Sequence, residues 1–154
     1  MKLNIELPLR ALSQNNIERS ASTNRRYKTK EAVLFASAIS RKLLCHQGLE
    51  AFRNHFDANR HAISVRYIFH FEHTDILTQK TKGNRRLSAK VGDVDNRIKF
   101  AQDCLFKAIG IDDRFVFEVH AIKLPAFKDS ILAVLEIIPL DCIPEYSEFL
   151  EIKA

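Results

Sequence analysis

Ile63, Val65, Tyr67, Phe69 and Phe71 fall at alternate positions in a run of β-branched and aromatic residues. Period-two alternation over that length is what a strand with one buried face requires, so the chain must be built around a sheet. Three other segments can supply further strands. Leu3, Ile5 and Leu7 alternate over residues 2–8 and stop at Pro8. Apolar runs at 115–123 and 130–138 follow near the end, joined across Pro125-Ala126-Phe127-Lys128-Asp129, and these last two are expected to form a hairpin.

Helical spacing appears between the strands. From about Lys30 to His46 the residues Val33, Ala36, Ile39, Leu43 and Leu44 recur at helical intervals, with Thr29 as cap and Gly48 as stop. Leu49, Phe52 and Phe56 predict a second, shorter helix. A third is predicted from about Asp95 to Ile109, with Ile98, Ala101, Leu105, Ala108 and Ile109 as its buried stripe and Gly110 as its stop. This order predicts an α/β (α+β) fold, a small mixed β-sheet of about four strands with two to three helices packed on it. It forms a single domain over residues 1–154, long enough to bury a core without disulfides or metal staples. Residues 13–30 and 73–92 show no apolar period and read as long polar loops.

The charge, net +5, is unevenly spread. Arg19, Arg25, Arg26, Lys28 and Lys30 crowd one of these loops, and Lys80, Lys82, Arg85, Arg86 and Lys90 the other, with no acidic residue among either group. Basic clusters of this kind suit a polyanion such as the DNA backbone, although many are only solvated surface. About 139–154 the balance reverses into an acidic tail containing Asp141, Glu145, Glu148 and Glu151. No apolar run reaches membrane-spanning length, and the N-terminus lacks the apolar core of a signal peptide. Cys45, Cys104 and Cys142 are odd in number and widely spaced, which argues against a disulfide framework or zinc site and predicts a cytoplasmic protein. Cys104, inside the third helix, reads as a small buried hydrophobe. His70 and His73, three apart at a strand end, point to opposite sides and make a poor ligand pair. Tyr27, in the first basic segment, has a ring that can stack on a base.

Against this basic background Asp93 and Asp95 stand two apart before the third helix, and Asp112-Asp113 follow its stop. Each pair has a plain explanation, as helix caps or turn residues. Asp95, Lys99 and Asp103 also recur at i, i+4 and i+8, an ordinary charge ladder worth a few tenths of a kcal/mol per pair. The alternative is that Asp93 and Asp113 converge on one end of the helix. Asp93, Asp95, Asp112 and Asp113 would then repel one another unless a hard divalent cation, Mg²⁺ or Mn²⁺, joins them. Such a site suits phosphodiester hydrolysis, with Lys99 to steady charge on the phosphate.

Asp93-Val-Asp95-Asn96-Arg-Ile-Lys99, then Asp103, then Gly110-Ile-Asp112-Asp113, resembles the signature of the RusA-type Holliday junction resolvases. Lys123-Leu-Pro125 continues the likeness, and Leu7-Pro8 with Ser13-Gln-Asn15-Asn16 extends it more loosely. The resemblance implies a Mg²⁺-dependent endodeoxyribonuclease that acts as a homodimer on four-way DNA junctions. Its catalytic aspartates match Asp93, Asp95 and Asp113, with Asp112 beside them, and its essential lysine matches Lys99. Here Leu9-Arg10-Ala11-Leu12 replaces the family's proline-rich first loop, and 48–60 and 73–90 are longer than usual. Two other functions fit the residues: a DNA-binding module of this fold that does not cut, and an interaction protein that docks through its acidic tail and basic loops.

Overall fold

The computed structural model describes residues 1–12, 18–20, 26–72, 77–79, 85–87 and 93–143, with backbone alone at 18–20, 26–27, 77–79 and 85–87. Four strands make the central sheet: β1 (Lys2–Leu7), β4 (His61–Glu72), β7 (Val116–Ala126) and β8 (Ser130–Pro139), in the order β1-β8-β4-β7. Their inward positions carry the alternation seen in the sequence. Leu3, Ile5, Leu7, Ile63, Val65, Tyr67, Phe69, Phe71, Ile131, Ala133, Leu135 and Ile137 are all buried. Each buried Val, Leu, Ile or Phe side chain among these contributes roughly 1.5–3 kcal/mol by leaving water.

The expected hairpin of the last two strands does not form. β4 lies between them, parallel to β7 and antiparallel to β8, while β8 also pairs with β1. Strands flanking a third are about 10 Å apart, and the extended step from Ala126 to Ser130 spans that distance. Residues 127–129 therefore arch over the end of β4, where the Asp129 carboxylate accepts the Glu72 N–H at 3.1 Å. The two polar segments are not wholly irregular. β2 (Glu18–Ser20) pairs antiparallel with β3 (Arg26–Lys28), and β5 (Leu77–Gln79) with β6 (Arg85–Leu87).

Helices α1 (Lys30–Leu44), α2 (Leu49–His55) and α3 (Asp95–Ile109) complete the small mixed α+β domain. Thr29 caps α1 as expected, its hydroxyl accepting from the Ala32 N–H at 3.2 Å. Gly48 does not end α1; it occupies the N-cap position of α2. The buried stripe of α1 is Ala32, Phe35, Ile39 and Leu43, whereas Val33 and Leu44 are exposed. Phe35 stacks on Phe100 of α3, with ring centroids 5.3 Å apart. The stripe of α3 is rotated from the expected one, because Arg97, Phe100 and Cys104 are buried while Ile98 and Ala108 are only half-buried.

Gly110 ends α3 with φ +77°, the left-handed conformation that costs other L-residues about 1–2 kcal/mol. The Arg53 guanidinium reaches across from α2, donating to the Ile109 carbonyl and, at 2.9 Å, to the Ala108 carbonyl. A Cβ at Gly110 would meet Arg53 no closer than 3.7 Å, so sterics add little to the backbone strain. Gly110→Ala is therefore expected to lower stability by about 1 kcal/mol in urea denaturation, and Gly110→Asn by less, because Asn tolerates this conformation. Equal losses in the two variants would show that the backbone is not the cause.

Candidate active site

After Gly110 the chain turns back on itself. Asp112 is extended and caps a 3₁₀ turn, Asp113–Phe115, that leads into β7. Its carboxylate accepts the Arg114 N–H at 3.0 Å and lies 3.8 Å from the Arg114 guanidinium. The turn-residue explanation thus holds for Asp112. It fails at the other end of the helix, where Val94 occupies the N-cap of α3 and no side chain caps it. Asp93 and Asp95 are exposed there. Among the described residues no ion pair within 4 Å engages Asp95, Lys99 or Asp103, so the charge ladder is not drawn together either.

Asp95, Lys99 and Asp103 follow one another at successive turns of α3, all exposed. Asp113 joins this row beside Asp103, not at the helix end where Asp93 stands. The 3₁₀ turn packs against both α3 and β4, and Asp103 and Asp113 line a common cleft of about 310 Å³ with Phe106, Lys107, Ile111 and Asp112. Asp95 lies eight residues before Asp103, about 12 Å along the axis. Among the described residues no three His, Cys, Asp or Glu side chains already stand close enough to hold a metal ion.

The carboxylates in the cleft act on one another. Partial desolvation against α3 and the cleft wall, and then the neighbouring Asp113, hold the Asp103 carboxyl above its usual range, against the opposing pull of Lys99 and Lys28. Folding thus favours the protonated acid. That contribution is present at low pH and is lost as the pH rises through the raised pKa. The pair offers only oxygen donors, the chemistry that suits a hard divalent cation such as Mg²⁺ or Mn²⁺. Beneath the pair lies Tyr67 on β4. Burial and the charges of Asp103 and Asp113 hold its phenol far above the usual range, so it remains an O–H donor. The Cys104 thiol, pushed up to about 11 mainly by burial, is unreactive, as its sequence context suggested.

Of the ten basic residues singled out, Lys28 is placed against this site, its charge acting on both Asp103 and Cys104. Lys30 is exposed at the start of α1. Arg19, Arg26, Arg85 and Arg86 lie on the short strands β2, β3 and β6, where only the backbone is described, and Tyr27 is likewise on β3. Arg25, Lys80, Lys82 and Lys90 fall outside the described residues, as do His73 and the tail from 144 onward. His70 is engaged by the Ser130 hydroxyl at 3.0 Å. Asp103 and Tyr67 were not among the expected site residues. The i+4 step from Lys99 pointed to Asp103, while nothing in an alternating strand marks one tyrosine hydroxyl.

No described helix is long and apolar enough to cross a membrane. Residues 8–132 match a protein-family model described as Endodeoxyribonuclease RusA. No curated protein matches the chain.

Proposed function

The chain belongs to the RusA endodeoxyribonuclease family, and from that premise we propose that it is a Mg²⁺-dependent, structure-selective endonuclease that hydrolyses phosphodiester bonds of four-way DNA junctions. The observation that carries this is the exposed row Asp95, Lys99 and Asp103 on α3, joined by Asp113 and, among the described residues, engaged in neither caps nor ion pairs. Asp103 and Asp113, side by side in the cleft, would supply oxygen ligands, and the family resemblance adds Asp93 and Asp95 at the start of α3, with Asp112 alongside Asp113, held by Arg114. A divalent cation bound there supplies a Lewis acid toward the phosphate and a water of lowered pKa. Lys99 steadies the negative charge that builds on the phosphate, and its place between the carboxylates keeps it on the same side of the helix. Lys28, with Arg19, Arg25, Arg26, Lys30, Lys80, Lys82, Arg85, Arg86 and Lys90, binds the flanking phosphates and gives an affinity that falls steeply with salt.

A junction resolved symmetrically needs two cuts, so the active form is a two-fold homodimer. Edge strand β7 supports this. It exposes Phe117, Val119, Ile122 and Leu124, an apolar edge that natural monomers rarely leave uncovered. The test is incubation of a synthetic four-way junction, and of linear duplex of matching sequence, with the protein in Mg²⁺ or in chelator. Paired cuts in the junction alone, and only with Mg²⁺ or Mn²⁺, are expected. Equal cutting of duplex, or an intact junction with either metal, would overturn the assignment.

A further inference from the structure

Tyr67 is completely buried on β4, yet its hydroxyl has no hydrogen-bond partner among the described residues. Buried polar groups are normally paired, and a phenylalanine would fill the same space without an orphaned donor. The ring itself is well packed, stacked on Phe69 with centroids 5.7 Å apart. The charges that bear on its hydroxyl are Asp103, most strongly, and Asp113. These same carboxylates line the cleft, and the turn that carries Asp113 packs against the strand that carries Tyr67. The orphaned donor therefore lies within the field of a pair of acceptors.

We propose that Tyr67 is a positioning residue for a divalent cation in this cleft: when the cation binds, the free O–H takes the Asp103 carboxylate as its acceptor and fixes it, so that Asp103 binds the cation together with Asp113. The proposal rests on the reading that the acidic row holds such a cation. A donor on one carboxylate oxygen locks the side chain's orientation and supports its charge, leaving the second oxygen free to ligate. Losing an outer partner of this kind typically weakens metal binding by about 10–100-fold.

Mn²⁺ binding to the full chain without DNA, measured by titration calorimetry, tests this. Tyr67→Phe is expected to weaken Mn²⁺ binding about tenfold or more, without lowering the metal-free melting temperature. Phe69→Leu disturbs the same core but touches no hydroxyl; it should lower the melting temperature and leave Mn²⁺ affinity as in the wild type. Unchanged affinity in Tyr67→Phe overturns the proposal. So does an equal loss in Phe69→Leu, which would mean that affinity follows core integrity, or a lower metal-free melting temperature in Tyr67→Phe, which would give the hydroxyl a structural bond. A wild type that binds no Mn²⁺ overturns both this proposal and the nuclease assignment. Binding of Mn²⁺ with the junction left intact would overturn only the nuclease assignment.

Discussion

Asp113→Asn is expected to cut junction cleavage by roughly a hundredfold to a thousandfold, and to leave the protein at least as stable as before. Asparagine keeps the shape of the side chain and removes the charge that a cation ligand needs. Asp113 is exposed and caps nothing, so no fold-supporting bond is lost with it. Its charge adds to partial desolvation in holding the Asp103 carboxyl above the usual range. Without it Asp103 ionises more easily, and the repulsion that the folded state carries at neutral pH disappears. A fall in activity with an unchanged or raised melting temperature is the mark of a residue kept for chemistry at some cost to stability.

Asp112→Asn makes the matching control. Its carboxylate already accepts the Arg114 N–H and lies near the Arg114 guanidinium, so its loss weakens the turn that holds Asp113. A small drop in melting temperature and a smaller drop in cleavage should follow. Parallel kinetics and melting curves on both variants decide the matter. Full cleavage by Asp113→Asn would remove that carboxylate from the chemistry. Equal behaviour of the two variants would mean that turn geometry, rather than charge, governs the rate.

What the sequence could show depended on how far each signal reaches along the chain. The third helix was legible to the residue, Asp95 to Ile109, because periodicity, an acidic start and a following glycine all agree. Strand positions were legible for the same local reason. Strand partners were not, since alternation says which face is buried and nothing about neighbours. A linker as short as 127–129 serves a tight hairpin or an arch over a third strand equally well. On α1 two candidate stripes shared Ile39 and Leu43, and only packing against Phe100 selects the face that includes Phe35 rather than the one with Val33 and Leu44. The acidic row was half legible. Its spacing on the helix was plain, but the return of Asp113 to Asp103 depends on how the chain turns after Gly110. Arg97 was missed because a charged residue reads as surface unless its partners, distant in sequence, are known.

Arg97→Ala is expected to lower stability by about 2–4 kcal/mol. Only 6 % of Arg97 is exposed. Its guanidinium donates to the Ala11 carbonyl and lies over the Phe71 ring, 4.7 Å from the centroid. It thereby ties three pieces together: the first turn of α3, the end of β4 and the segment after β1. The charge-assisted bond contributes about 1.5–3 kcal/mol and the cation–π contact up to about 2. Against these stand burial and the nearby Arg10, which push the Arg97 pKa down, with Asp129 opposing them. Relief of that repulsion returns part of the loss, which is why the sum of the parts overstates the effect. Arg97→Met separates the contributions. It keeps a long stem over Phe71 but leaves the Ala11 carbonyl without this donor, so it should cost less than the alanine. Asp95 is two residues away on the same turn, so cleavage measured well below the melting temperature should also fall, as the clamp no longer holds that turn against β4. Urea denaturation of the three proteins gives the answer. A loss under about 1 kcal/mol for Arg97→Ala would place this arginine with ordinary surface charges and leave the start of α3 held by its apolar stripe alone.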